Sequence, residues 1–220
     1  MKNKKKEIIK NINLFFLGDS SVGKTSFFTK IATGLFSEKN NISTIGRDKC
    51  RLYFNDIEIN LNDKDRKEAF NINLYDTSGQ ESFRALTKIY YHSTDVVFLL
   101  YDVTYRKSFD DLGEWLKEIK EKLYYCMIGH YIIFVLGNKI DMIGIEDKKR
   151  ETTEEEAENF CKEKGIEWGG ECSAKIFTKD ELSNILLKAW KKFVEKFGIK
   201  ENVIKKAKVI EGNKRKRGYC

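Results

Sequence analysis

The chain has 220 residues, no proline and a formal net charge of +7, which suits one domain with a sizeable core and flanking tails. The charge is uneven: residues 1–10 carry five lysines and one glutamate, residues 199–220 eight basic and two acidic residues, and the body between is slightly acidic. Basic ends on an acidic body read as arms for acidic membranes or other polyanions, so nucleic acid is not an expected partner. No apolar run approaches a membrane span, and no signal-peptide core follows the lysine-rich start; a cytosolic protein, or one on a cytosolic membrane face, is expected.

Taken in chain order, residues 1–11 form a basic arm in which Lys2 replaces the glycine that N-myristoylation needs. Residues 12–17 read as a buried strand, and Gly18 to Thr25 as a glycine-framed loop opening a helix that ends near Gly34. Residues 48–60 and 70–75 read as two strands joined by a long hairpin tip, 61–69, too charged for a core. The apolar runs 96–101 and 131–136 are of strand length and continuous, as in a parallel sheet covered on both faces. Ser108-x-x-Asp111, Thr153-x-x-Glu156 and Thr178-x-x-Glu181 mark helix starts as capping boxes. In the last helix Leu182, Ile185, Leu186, Ala189, Trp190, Phe193 and Phe197 form one apolar face. This order predicts a doubly wound α/β domain over 12–197, followed by a basic tail, 198–220.

The loop Gly18-Asp19-Ser20-Ser21-Val22-Gly23-Lys24-Thr25 fits G-x-x-x-x-G-K-[ST], with Ser26 next. Between a strand and a helix, its N–H groups can converge on phosphates at a helix N-terminus, Lys24 can reach the outer phosphates and the Thr25 hydroxyl can bind magnesium. The loop alone does not separate a GTPase from an ATPase or a small-molecule kinase. Asn138-Lys139-Ile140-Asp141 follows a predicted strand, and the Asp141 carboxylate can accept both N1–H and N2–H of guanine, a donor pair adenine lacks. The Lys139 stem can lie along the base, Asn138 can tie this loop to the phosphate loop, and the Ala174 N–H in Ser173-Ala174-Lys175 can donate to guanine O6. Cys50, Cys126, Cys161, Cys172 and Cys220 lack metal-ligand spacing, and His92 and His130 stand alone.

On these motifs the chain resembles the Ras-like small GTPases, and within them the Rab branch. Tyr75-Asp76-Thr77-Ser78-Gly79-Gln80-Glu81 and Ser43-Thr44-Ile45-Gly46 are similar to the two switch motifs. Ser82-Phe83-Arg84, Tyr90-Tyr91, Leu100-Tyr101-Asp102-Val103-Thr104 and Ser108-Phe109 are the Rab-like signatures. The resemblance implies the P-loop small G-protein fold, with a mostly parallel six-stranded sheet, and a GTP/GDP switch in vesicle traffic that hydrolyses GTP slowly. It implies that Thr44 completes magnesium coordination, Asp76 holds the ion through water, Gly79 meets the γ-phosphate, Phe36 packs on guanine and Gln80 orients the attacking water. It further implies an exchange factor, an activating protein with an arginine finger, a GDI or escort protein, effectors, and a monomer. Departures from the pattern stand at Arg47, Lys49, Tyr75 and Ser78, where effectors of this branch bind.

Lys214-Arg215-Lys216-Arg217-Gly218-Tyr219-Cys220 is similar to a Rab prenylation tail, which would hold the protein on the cytosolic face of an anionic endomembrane. An unmodified basic tail is the alternative. Two other functions stay open at this point: a GTP-dependent scaffold that barely hydrolyses, and nucleic-acid binding through the basic ends.

Overall fold

A computed structural model describes residues 10–36, 47–61, 64–77, 94–125 and 129–198. The elements are β1 (Lys10–Leu17), α1 (Lys24–Thr33), β2 (Arg47–Leu61), β3 (Lys64–Thr77), β4 (Val96–Asp102), α2 (Arg106–Asp110), α3 (Leu112–Tyr125), β5 (Ile132–Asn138), α4 (Glu154–Lys164), β6 (Glu167–Glu171) and α5 (Lys179–Phe197). They build one six-stranded sheet in the order β2-β3-β1-β4-β5-β6. Every pairing is parallel except β2 with β3, which is the doubly wound architecture the sequence predicts.

Alternation along the central strands explains why both faces need cover. Ile12, Leu14 and Phe16 of β1, with Val96, Phe98 and Leu100 of β4, face a core that also holds Phe27, Ile31, Leu186 and Trp190 from α1 and α5. Val97, Leu99 and Tyr101 face the opposite core, shared with Leu112, Leu116 and Ile119 of α3 and Ala157 and Cys161 of α4. Trp190 lies flat on Phe70, with ring centroids 3.9 Å apart and planes 4° from parallel.

The two later capping boxes form as predicted. Thr153 and Thr178 each accept from the backbone N–H three residues on, while Glu156 and Glu181 bond back to the cap residue's N–H. The first does not form. The helix begins at Arg106, whose N–H donates to the Glu151 carboxylate, and Ser108 is turned inward. There its hydroxyl accepts from Asp102 N–H at 3.0 Å and donates to the Tyr105 carbonyl at 2.7 Å. The end of β4 is buried and needs that partner more than a solvent-facing helix end does.

The second correction concerns 61–69. The strands do not end at a long tip: Lys64 to Glu68 continue the ladder opposite Leu61 to Ile57 beyond a bulge between Phe54 and Ile57. Charge keeps a segment out of a core, but it does not prevent backbone pairing. The sequence also holds a signal overlooked above: N-I-N-L occurs at 11–14 and again at 71–74. The two copies pair in parallel and in register, residue for residue. Asn71 Nδ2 donates to Asn11 Oδ1 at 3.0 Å, and Asn73 Nδ2 to Asn13 Oδ1 at 2.9 Å. A one-residue slip would face asparagine with isoleucine, so the ladder fixes the register.

Trp190→Ala should lower unfolding free energy by roughly 3–5 kcal/mol, and Trp190→Phe by clearly less, as measured by urea denaturation.

Candidate functional site

The phosphate-type loop occupies the C-terminal ends of β1 and β4, where ligands bind in such sheets. Its two framing glycines are steric requirements. A Cβ on Gly18, at φ 129°, would sit 2.2 Å from the Leu100 carbonyl oxygen, and one on Gly23, at φ 97°, would sit 2.3 Å from Asn138 Nδ2. Ser20 and Ser21 are exposed, and Ser21 adopts φ 65°. Val22 is buried, and Thr25 and Ser26 are half-buried in the first turn of α1.

Lys24 is only 5% exposed. Its Nζ donates to the carbonyls of Gly18 at 2.8 Å and Asp19 at 2.5 Å. Burial pushes its pKa down to about 8, against the opposing pull of Asp76 and Asp19. Asp76 is fully buried at the end of β3, opposite Phe16 of β1. A threonine hydroxyl and a buried carboxylate beside a lysine are oxygen donors of the kind a hard divalent cation takes. Among the described residues no group of three or more His, Cys, Asp or Glu could hold a metal.

Asn138 joins the base-side loop to the phosphate loop. Its Nδ2 donates to the Val22 carbonyl at 2.8 Å, while its Oδ1 accepts from the Cys172 thiol at 3.6 Å. Lys139 adopts φ 69° and its Nζ pairs with Asp102 Oδ2 at 2.7 Å. Asp102 is held in turn by Thr104 N–H and hydroxyl. The Ser173 hydroxyl donates to Asp141 Oδ1 at 2.5 Å and accepts from the N–H groups of Lys175 and Ile176. Ala174 is buried between them and Lys175 is exposed. Phe36 is half-buried against the α1 side of the core.

The structure thus brings Gly18, Ser20, Ser21, Val22, Gly23, Lys24, Thr25, Ser26, Asp76, Asn138, Lys139, Asp141, Ser173, Ala174 and Lys175 to one edge of the sheet. Thr44, Gly79, Gln80, Cys220 and the 82–84 and 90–91 signatures lie outside the described residues. The motif reading missed Asp102 as the partner of Lys139; the Asp-x-Thr turn at 102–104 was the available signal.

Lys24 carries a pH signature whose sign follows from its lowered pKa. Between about pH 8 and its ordinary value the unfolded chain binds more protons, so stability rises with pH across that window. Nucleotide-free protein should gain about 2 kcal/mol between pH 7 and 9.5 relative to Lys24→Met, as read by urea unfolding. Anionic phosphate beside the amine should abolish the difference.

Comparison with known proteins agrees with this geometry. The Ras family model matches residues 13–195. The chain is 35% identical over 165 residues to "GTP-binding protein yptV5" of Volvox carteri, covering 75% of this chain and 73% of that protein. It is 34% identical over 170 residues to "Ras-related protein RABG3e" of Arabidopsis thaliana, covering 77% of each. It is likewise 34% identical over 170 residues to human "Ras-related protein Rab-37", covering 77% of this chain and 68% of that protein. The family match over nearly the whole domain and these relatives make the chain a member of the Ras family, a small GTPase of the Rab kind.

Proposed function

We propose that this GTPase is a magnesium-dependent GTP/GDP switch of vesicle traffic, built as a G domain over 12–197 with a basic arm and a basic tail. The observation that carries the reading is the Asn138 amide bond to Val22, which joins a base-reading loop to a phosphate-type loop.

In the proposed mechanism the backbone N–H groups of 18–25 cradle the phosphates, and Lys24 leaves the Gly18 and Asp19 carbonyls to meet the outer ones. Asp141 accepts N1–H and N2–H of guanine, the Ala174 N–H donates to O6, and Phe36 covers the base. Thr25, Thr44 and, through water, Asp76 would hold the magnesium ion. When bound, that ion neutralises charge on the transferring phosphoryl group. Gln80 orients a water for in-line attack, and GDP and phosphate leave. The Thr44 and Gly79 N–H groups hold their segments to the γ-phosphate and lose it after hydrolysis, so nucleotide state becomes surface shape. An exchange factor, an activating protein with an arginine finger, a GDI or escort protein and effectors read that shape around a monomeric switch. A prenylated Cys220 and the basic tail seat the switch on an anionic endomembrane. That no helix among the described residues is long and apolar enough to cross a membrane is compatible with peripheral attachment.

Natively purified protein should release GDP or GTP on denaturation, identified by chromatography; ATP bound with no guanine preference would overturn the reading. Asp141→Asn should weaken GDP binding by roughly ten- to a hundredfold, the loss of a charged bidentate acceptor. Ser20→Val, beside the position Gln80 and a partner's arginine must share, should slow activator-stimulated turnover while GDP affinity stays nearly constant.

A further inference from the structure

Residues 107, 111 and 115 recur at a spacing of four across the junction of α2 and α3. Asp111 N–H donates to the Lys107 carbonyl and Trp115 N–H to the Asp111 carbonyl, so helical bonding runs through the junction and the three share one face. All three address Asp19 of the phosphate loop. Trp115 Nε1 donates to Asp19 Oδ1 at 2.7 Å. Lys107 Nζ pairs with Asp111 Oδ2 at 2.6 Å, and the Asp111 carboxyl is close enough to act on that of Asp19. Burial raises the Asp19 pKa, with Asp111 adding to the effect, while Lys107 lowers that of Asp111.

Asp19 is thereby held from two sides. Its carbonyl accepts from Lys24, and its carboxyl is gripped by an indole packed in the α3 core with Leu99, Leu112 and Leu116. Gly18 is wedged against Leu100 and Gly23 against Asn138, which fixes the two ends of the loop. Asp19 gives a third fixed point between them. When Lys24 turns from the Asp19 carbonyl to a phosphate, the grip on the carboxyl is the one that persists.

We propose that Trp115 is a positioning residue for the nucleotide: its indole N–H, through the Asp19 carboxyl, holds the first peptides of the phosphate loop in the binding geometry. The proposal rests on the guanine-nucleotide reading above.

The test uses the full chain loaded with a fluorescent GDP analogue and chased with excess unlabelled GDP. Trp115→Phe keeps the ring and deletes the donor; Asp19→Ala deletes the acceptor. Each should release the analogue roughly three- to tenfold faster than wild type, the loss of one hydrogen bond. The double variant should be no faster than the faster single one, because both changes remove the same contact. Wild-type release by either variant, or multiplied effects in the double, would overturn the proposal. If Trp115→Phe does not fold, Asp19→Ala decides alone, since its side chain belongs to a partly exposed loop. Failure of the underlying reading is distinct: wild-type protein would then take up no guanine analogue at all.

Discussion

One buried amide sets the geometry of the site. Asn138 is 1% exposed, so both ends of its side chain need partners inside the protein. It finds them in two other loops, the Val22 carbonyl of the phosphate loop and the Cys172 thiol at the end of β6. Its own carbonyl accepts from Val103, at the end of β4. Three loops that arrive from separate strand ends are therefore registered to one residue, and Gly23 must lack a side chain to let the amide in. The distance between the Asp141 carboxylate and the N–H groups of the Gly18–Thr25 loop is set by this junction, with neither loop fixing it alone.

Lys24 shows the opposite economy. Burying its amine disfavours the charge, and the two carbonyls that accept from it offset only part of that cost. On the proposed function, the fold tolerates that cost because the amine is held where an anionic phosphate oxygen would arrive, a pattern in which a site is less comfortable than the structure around it. Ser21 adds a smaller cost of the same kind, a non-glycine residue with positive φ in a turn that must present N–H groups. Stability comes instead from the cores on the two faces of the sheet, with the Trp190–Phe70 stack on one and Trp115 on the other.

Much of this was legible in the sequence because the signals are local. The loop from Gly18 to Thr25 and the Asn138–Asp141 turn are contiguous motifs, and the Thr153 and Thr178 caps satisfy their chemistry within a few residues. What escaped was decided at long range. Ser108 has the spacing of a cap, but the buried end of β4 claims its hydroxyl, and Glu151, 45 residues away from Arg106, caps the helix instead. The 64–69 segment is too charged for a core, yet β2 pairs with it, because charge patterns report burial and not backbone hydrogen bonding. The Asn11–Asn71 and Asn13–Asn73 rungs were visible as a repeated N-I-N-L, but only pairing of β1 with β3 turns the repeat into a ladder.

The same pairing changes how the departures from the Rab pattern are understood. Lys49 and Tyr75 stand 26 positions apart in sequence, but β2 and β3 set them directly opposite each other. They are one altered pair on one rung. Tyr75 lies flat on Phe15 of β1, with centroids 4.5 Å apart and planes 6° from parallel, and Arg51 bonds Asn73 one alternation further along the strand. Residue 76 follows immediately and, because side chains alternate along a strand, faces the other side of the sheet, where Asp76 acts on the charge of Lys24. Adjacent residues of β3 thus address opposite faces of the sheet. A strand with its register fixed by an asparagine ladder holds residues 75 and 76 in a constant relation to β1 and to each other.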